Sequence, residues 1–539
     1  MNEFMLNPTR IDRPRSIFPI QFRSPTTMRI GDIVPLMCKE VLPGSTFSLD
    51  VSSVLQAASP FVSRVYGDLF LDIYAFFVPN RLVWEHWQQF CGENDTGAWT
   101  QTTEYTIPTQ EWDPAVGVTN LGDYFGLPFN ENGVTIAVSE LPLRGYYRIY
   151  NEFFRNENTD VAKVVTYGDG SNTAVDYDNQ PLKACRFPDY FSMALPGAQK
   201  GGAVTVPLGS SAPIVTGGSL TDFGTNPVLL KSNLALNSGT AVDLVGNAHS
   251  SGSQNVSLNG VVSSQQGSVS FTASNLVADL SAASSATINQ WRLAFQTQKY
   301  LELMARGGSR YIESLKSLFG VTNGDARLQR CEYLGGKRIP IQFQEVVATS
   351  SSSAESQTQY ALGQQVIKSV THDSSSLFTK SFSEHGYLHV YGVIRQRHQY
   401  CQGIERHWTR KHFLDFYNPV FDSIGETPVY NREIYYSGNA TDDQAFGYQE
   451  AWAEYRYDPD RITGYLRPGV PNGLSTYSFA DQYSKTPTLN GFMHEDRSFV
   501  TRTMALSSQD FDFICDFYFS GKKALPMSLR SIPGLIDHH

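Results

Sequence analysis

The feature that most constrains this chain is the recurrence of period-two strand patterns at both of its ends. GSTFSLDV (44–51) alternates apolar and polar, with Phe47, Leu49 and Val51 on one face. DFDFICDFYF (510–519) sets Phe511, Phe513, Cys515, Phe517 and Phe519 against Asp512, Ile514, Asp516 and Tyr518. A side-chain period of two is that of a half-buried strand. Between these, GDLFLDIYAFFV (67–78), ended by Pro79, is apolar on both faces. HGYLHVYGVIRQRHQY (385–400) sets Leu388, Val390, Gly392 and Ile394 against Tyr387, His389, Tyr391 and Val393. Val, Ile, Tyr and Phe in such runs suit a buried sheet. Strong strands this far apart must pair over long range, as they do in sandwiches and jelly rolls. The predicted class is mainly β.

Helical spacing interrupts the strands. After Pro79, Asn80 is placed to cap a helix over RLVWEHWQQFC, with Gly92 behind it and Leu82, Val83, Trp87 and Phe90 as its inward stripe. SATINQWRLAFQTQKYLELMARGG (285–308) puts Ile288, Trp291, Leu293, Ala294, Phe295, Tyr300, Leu301 and Met304 on one apolar side. Thr287 or Ser285 is its candidate cap and Gly307-Gly308 its end. A shorter helix, RYIESLKSLF, starts from Ser309 and closes at Gly320. Residues 1–35 interleave Arg10, Arg13, Arg15, Arg23 and Arg29 with Pro8, Pro14, Pro19, Pro25 and Pro35, which favours an extended arm over a helix. Residues 201–285 are rich in Ser, Gly, Asn and Gln and nearly uncharged, and read as a large surface insertion with short strands.

Charge and motif content exclude several classes. The formal net charge is −10, so DNA contact has to come from local patches or a basic helper. The six cysteines, Cys38, Cys91, Cys185, Cys331, Cys401 and Cys515, lie far apart with no CxxC pair, which suggests free thiols in a reducing cytosol. The first residues lack a signal-peptide core and no apolar run is long enough to span a bilayer, so a soluble protein made in the cytoplasm is expected. No GxSxG, Walker A, HExxH or dinucleotide fingerprint occurs. YGDGSN (167–172) and DPDRITG (458–464) lack the carboxylate ladder of a calcium loop. His398, His407 and His412 with Cys401 match no common zinc spacing, so no metal, cofactor or catalytic residue is assigned.

Several long segments resemble the major capsid proteins (VP1-type coat proteins) of gokushovirus-like Microviridae bacteriophages. They are VLPGSTFSLDV with FFVPNRLVWEHWQQFCGE, then INQWRLAFQTQKYLELMARGGSRYIESLKSLFGVTNGDARLQRCEYLGG, FSEHGYLHVYGVIRQRHQYCQGIERHW, EAWAEYRYDPDRITGYLRP and the terminal SLRSIPGLIDHH. They occur in family order from about residue 30 to residue 539. The resemblance implies an eight-stranded antiparallel jelly roll, a viral β-sandwich, with long, partly helical inter-strand insertions. The arm at 1–35 would precede a single capsid domain over 36–539 that carries a helical segment at 286–320. The insertion at 201–285 would build protrusions around threefold axes and contribute to host attachment. The implied function is a structural subunit, not an enzyme, of a T=1 icosahedral shell around a circular single-stranded DNA genome, assembled in the host cytoplasm. The implied partners are further copies of the chain, the genome, a small basic DNA-binding protein, a scaffolding protein, a minor or pilot protein and a bacterial surface receptor.

The residues themselves offer one candidate genome-facing cluster. IRQRHQYCQGIERHWTRKH (394–412) brings Arg395, Arg397, Arg406, Arg410 and Lys411 near Trp408, and cations with aromatics are the currency of single-strand binding. The plain alternative is an ordinary strand and turn salt-bridged to neighbouring acids. Two rival functions remain at this stage. A carbohydrate-binding, lectin-like jelly roll would show itself by glycan binding as a stable monomer. A polysaccharide-degrading enzyme would need two facing carboxylates, which the sequence does not place.

Overall fold

In a computed structural model, the described residues are 14–530, apart from 94–102, 116, 131–132, 172–176, most of 203–286, 309, 323, 326, 348–364 and 507–509. Nine strands form two antiparallel sheets: β1 (Ser16–Met28), β2 (Val34–Val41), β3 (Thr46–Ala57), β4 (Leu69–Pro79), β5 (Glu332–Pro340), β6 (Phe343–Val347), β7 (Gln365–Ser381), β8 (Gly386–Gln396) and β9 (Phe513–Leu525). One sheet runs β1-β9-β3-β7-β6 and the other β5-β4-β8-β2. The long-range pairing is literal: Ser16 lies opposite Leu525, and Thr46 opposite Ser381. The fold is therefore a mainly β sandwich of the jelly-roll kind, with five and four strands in its two sheets.

The inner faces meet in one core. Phe47, Leu49 and Val51 of β3 and Phe513, Cys515, Phe517 and Phe519 of β9 pack with Leu71, Ile73 and Phe77 of β4 and with Leu388, Val390 and Ile394 of β8. Phe382, in the turn between β7 and β8, is a pin between the sheets: its ring lies 5.9 Å from Phe47 and 4.5 Å from Phe77. Two strands approach so closely at Gly521 (φ +146°) that an added Cβ would stand 2.0 Å from the Ser48 carbonyl oxygen. Only glycine fits there.

The outer faces differ, and the sequence patterns explain why. On the five-stranded sheet the outer face of β3 and β7 is a hydroxyl ladder, Ser48 with Thr379 at 2.9 Å and Ser52 with Ser374 at 2.7 Å, and Ile514 beside it is exposed. That sheet is buried on one side, which gives the clean alternation. The four-stranded sheet is buried on both. Phe76, Val78, Tyr391 and Val393 face a second core built by Trp84, Trp112 and α1 (Leu141–Ile149). Arg144 of α1 is fully buried, and it donates to Glu140 at 2.7 Å and to the carbonyls of Val83, Gly168 and Gly170. A buried guanidinium needs this full set of acceptors.

β1 is an edge strand of the chain's own five-stranded sheet and pairs along β9, and residues 1–13 of the arm read at 1–35 lie outside the described residues. Pro19 and Pro25 sit in this edge strand six residues apart, hence on the same side of the ladder. A strand edge without a neighbour tolerates residues that have no N–H to give.

The helix expected over 81–91 is a correction. The chain makes a 3-10 turn at Asn80–Leu82 and a single α turn at Trp87–Phe90. The Asn80 side chain caps nothing, and Trp84 rather than Phe90 points into the core. Its indole N–H donates to Asp169 at 2.8 Å. The other two helices form near their expected bounds, α2 at Ile288–Arg306 and α3 at Tyr311–Phe319. Thr287 Oγ1 accepts from the Gln290 N–H at 3.3 Å, while Ser285 and Ser309 lie outside the described residues. Gly320 closes α3 in the left-handed region, φ +68°. The apolar side assigned to α2 does not face a core: Ile288, Trp291, Leu293, Phe295 and Tyr300 are all exposed.

Residues 202–300 make a second compact unit. Its described strands are two short antiparallel pairs, Ile214–Thr216 with Leu276–Ala278 and Leu229–Ser232 with Val269–Thr272. Apart from residues 201, 202 and 204, the rest of the insertion read at 201–285 lies outside the described residues, as do residues 531–539.

Candidate functional site

The candidate cluster at 394–412 begins at the end of β8, on the face away from the sandwich core. Asp72 of β4, 1% exposed, lies between two guanidiniums: Arg338 Nε donates to it at 2.8 Å, and Arg395 pairs with it from β8. The Arg338 and Arg395 groups stack over the Phe187 ring at 4.1 and 4.4 Å. The Arg395 side chain is only 11% exposed, so its charge serves this buried pair.

Three residues further on, His398 anchors the chain from below. Its Nδ1 meets Asp481 at 2.9 Å and its Nε2 meets Glu495 at 3.2 Å, with Arg186 2.6 Å from Asp481 on the other side. Burial disfavours a charged imidazole, but Asp481 first and then Glu495 outweigh it and hold His398 at about 9. Burial likewise opposes the Asp481 charge, and His398 and Arg186 together keep that carboxyl below its usual range. His398 is thus an imidazolium in a buried charge network, placed to hold the segment rather than to act on a ligand. Cys401 points its thiol at the Asp481 carbonyl and His407 pairs with Glu405 at 3.1 Å, so the histidine–cysteine set does not converge.

From Arg406 the chain runs as an outward ledge of short turns, Arg406–Thr409, Phe413–Asp415 and Pro419–Phe421. Arg406 pairs with Glu433 at 2.7 Å and Arg410 with Glu454 at 2.9 Å. Arg410 also lies over the Tyr455 ring at 4.5 Å. These pairs rest on a third core of Tyr190, Phe191, Tyr400, Val429, Phe446 and Phe492. Arg397 pairs with Asp460 at 2.7 Å but stays 57% exposed. Trp408 is 74% exposed and Lys411 is also exposed. Of the six candidates, then, Arg395, Arg406 and Arg410 are largely sheltered with acids, while Arg397, Trp408 and Lys411 present themselves outward.

Sequence reasoning missed what lies beyond Lys411. Phe413 (79% exposed), Leu414, Phe416, Val420 (83%) and Ile424 all project from the ledge. The Asp415 carboxylate accepts the Lys411 and His412 N–H groups at 2.7 and 2.8 Å and so fixes the turn that lifts Phe413 outward. Those hydrogen bonds also hold the Asp415 carboxyl below its usual range. The signal was present in FLDFYNPVF (413–421), an apolar run without strand or helix period. Monomeric proteins rarely expose a contiguous apolar surface of this kind, and such surfaces mark contacts with other molecules.

All six cysteines are unbridged. Among the described residues, no helix is long and apolar enough to cross a membrane.

A sequence model of the family described as "Capsid protein (F protein)" matches residues 8–535. The chain is 37% identical to capsid protein VP1 of Bdellovibrio phage phiMH2K, over 96% of this chain and 95% of that one. It is 35% identical to capsid protein VP1 of Chlamydia phage 1, over 99% and 98% respectively. It is 34% identical to capsid protein VP1 of Spiroplasma virus 4, over 97% and 95%.

Proposed function

The chain belongs to the phage F-protein capsid family, and on that premise we propose that its copies close into a T=1 icosahedral shell around a circular single-stranded DNA genome. It is a structural capsid protein of the virion, not an enzyme, and self-assembly is what that role requires. The observation that carries the finer reading is the apolar ledge at Phe413–Ile424, open to solvent on a single chain. Its occupant in this reading is a second copy. In a closed shell each such contact can be modest, because many form at once. The polar outer face of the five-stranded sheet needs no such cover.

The genome-facing reading narrows to Arg397, Trp408 and Lys411, the three candidates that are exposed. With a net charge of −10, the shell takes most of its genome neutralisation from small basic proteins or cations. A scaffolding protein and a pilot protein complete the assembly set. The weakly charged insertion at 201–285 is the proposed contact with a bacterial surface receptor, since such a surface can vary without disturbing the sandwich.

The test is the pair Phe413→Asp and Val420→Asp, both at exposed positions where the fold of one chain should not suffer. The expected result is a folded subunit that sediments unassembled. Shells of normal yield and size from both variants would remove the ledge from the assembly account.

A further inference from the structure

From the juxtaposition of Asp160, Cys185 and His494, we propose a transition-metal clamp for a borderline-soft divalent ion such as zinc, which would tie three distant chain segments together. One carboxylate oxygen, one thiol sulfur and one imidazole nitrogen there all lie within 4.8 Å of one another. This site goes beyond the capsid role and shares no residue with the ledge.

The backbone builds the arrangement. Cys185 and His494 face each other across an isolated antiparallel bridge, which sets their side chains next to each other. Neighbouring backbone bonds lock the register, with the Arg186 N–H donating to Met493 and the Glu495 N–H donating to Ala184. Asp160 arrives from a turn after α1. Its Oδ2 accepts the Asn156 N–H at 3.0 Å, while Oδ1 accepts the Thr159 hydroxyl at 3.3 Å and lies 3.1 Å from His494 Nε2. That edge is already near the roughly 3.4 Å separation of tetrahedral ligands around zinc, and the sulfur has to close by about 1 Å at most.

Mixed sulfur, nitrogen and oxygen donors suit zinc or cobalt better than calcium or magnesium. Three protein ligands leave a fourth position for water. Of the three ligands, Cys185 also lines a cleft of about 520 Å³, beside Phe154, Asn156, Ser192, Met193 and Met493, while Asp160 and His494 do not border it. In the metal-free chain the thiol donates to the Phe154 carbonyl at 3.2 Å. Binding then exchanges the thiol proton for the metal: the S–H bond breaks, the proton leaves to solvent and the sulfur–metal bond forms. No electron is transferred.

The experiment uses the full chain as unassembled subunit, stripped with chelator and titrated with cobalt(II). The expected signature is a thiolate-to-cobalt charge-transfer band with the visible spectrum of a four-coordinate ion, abolished by added zinc. Cys185→Ser should remove the charge-transfer band and weaken cobalt binding by more than about tenfold. His494→Gln should weaken it similarly while keeping circular dichroism unchanged. Absence of the band in the unaltered chain would overturn the proposal. A band of equal strength in Cys185→Ser would also overturn it, by placing the ion on another thiol such as the exposed Cys91.

Discussion

His389 makes the stability of the subunit sensitive to acid in a way that can be worked out from its surroundings. It sits in β8, wholly buried, on the face covered by α1, and among the described residues neither ring nitrogen has a hydrogen-bond partner. Its neighbours are the Tyr391 ring at 5.7 Å, the Phe125 ring at 6.2 Å and Gly145, where an added Cβ would stand 2.9 Å from Nε2. Among the described residues no carboxylate faces it, and burial pushes its imidazole down to about 3. In the unfolded chain the same group titrates near pH 6.5. The folded pKa is the lower one, so this group costs nothing above about pH 6.5, and the unfolded state gains the proton first as pH falls. At about 1.4 kcal/mol per pH unit, the loss is about 3 kcal/mol by about pH 4.5 and approaches about 5 kcal/mol near pH 3. The assay is urea unfolding of the unassembled subunit at neutral pH and at about pH 4.5, for the unaltered chain and for His389→Leu, a swap of similar size. Carboxylates such as Asp481 lose stability equally in both chains and cancel in the difference. The unaltered chain should lose about 3 kcal/mol more than the variant. Equal losses would show that the imidazole is hydrated or paired, and the reasoning from its burial would fail.

Other expected outcomes bear on different parts of the molecule. Phe382→Ala removes the ring wedged between Phe47 and Phe77 and should cost about 3–5 kcal/mol in urea unfolding. Asp481→Asn leaves Arg186 and His398 without their shared carboxylate and should cost about 3–5 kcal/mol, with circular dichroism checking that the sheets persist. Trp408→Ala with Lys411→Ala should lower retained single-stranded DNA in purified particles without changing subunit stability, as about 1–3 kcal/mol is lost per stacked base. Deletion of 201–285 should leave assembly intact and reduce adsorption to host cells.

The sandwich was legible because its strongest strands carry their burial in their alternation. Phe513, Cys515, Phe517 and Phe519 are all core residues, and Ile514 is not. The doubly apolar run in β4 also announced a sheet covered on both faces, although nothing local named α1 and Trp112 as the cover. Legibility failed where tertiary contacts override local periodicity. RLVWEHWQQFC has helical spacing, yet it forms two separate turns, with Trp84 buried and hydrogen-bonded to Asp169. α2 formed as expected, but its apolar stripe is exposed, because amphipathic spacing does not reveal whether the partner lies in the same chain or another. The candidate cations were read as a cluster along the sequence. Which of them are neutralised depends on Asp72, Glu433 and Glu454, far away in sequence. The same limit hid the Asp160–Cys185–His494 group, whose spacing carries no motif.

The most direct measurement is electron cryomicroscopy of particles from cells producing this chain. The account predicts a closed T=1 shell with one chain per asymmetric unit and the Phe413–Ile424 ledge buried against a neighbouring copy. Monomers with no shell, or a shell in which that ledge faces open solvent, would contradict it.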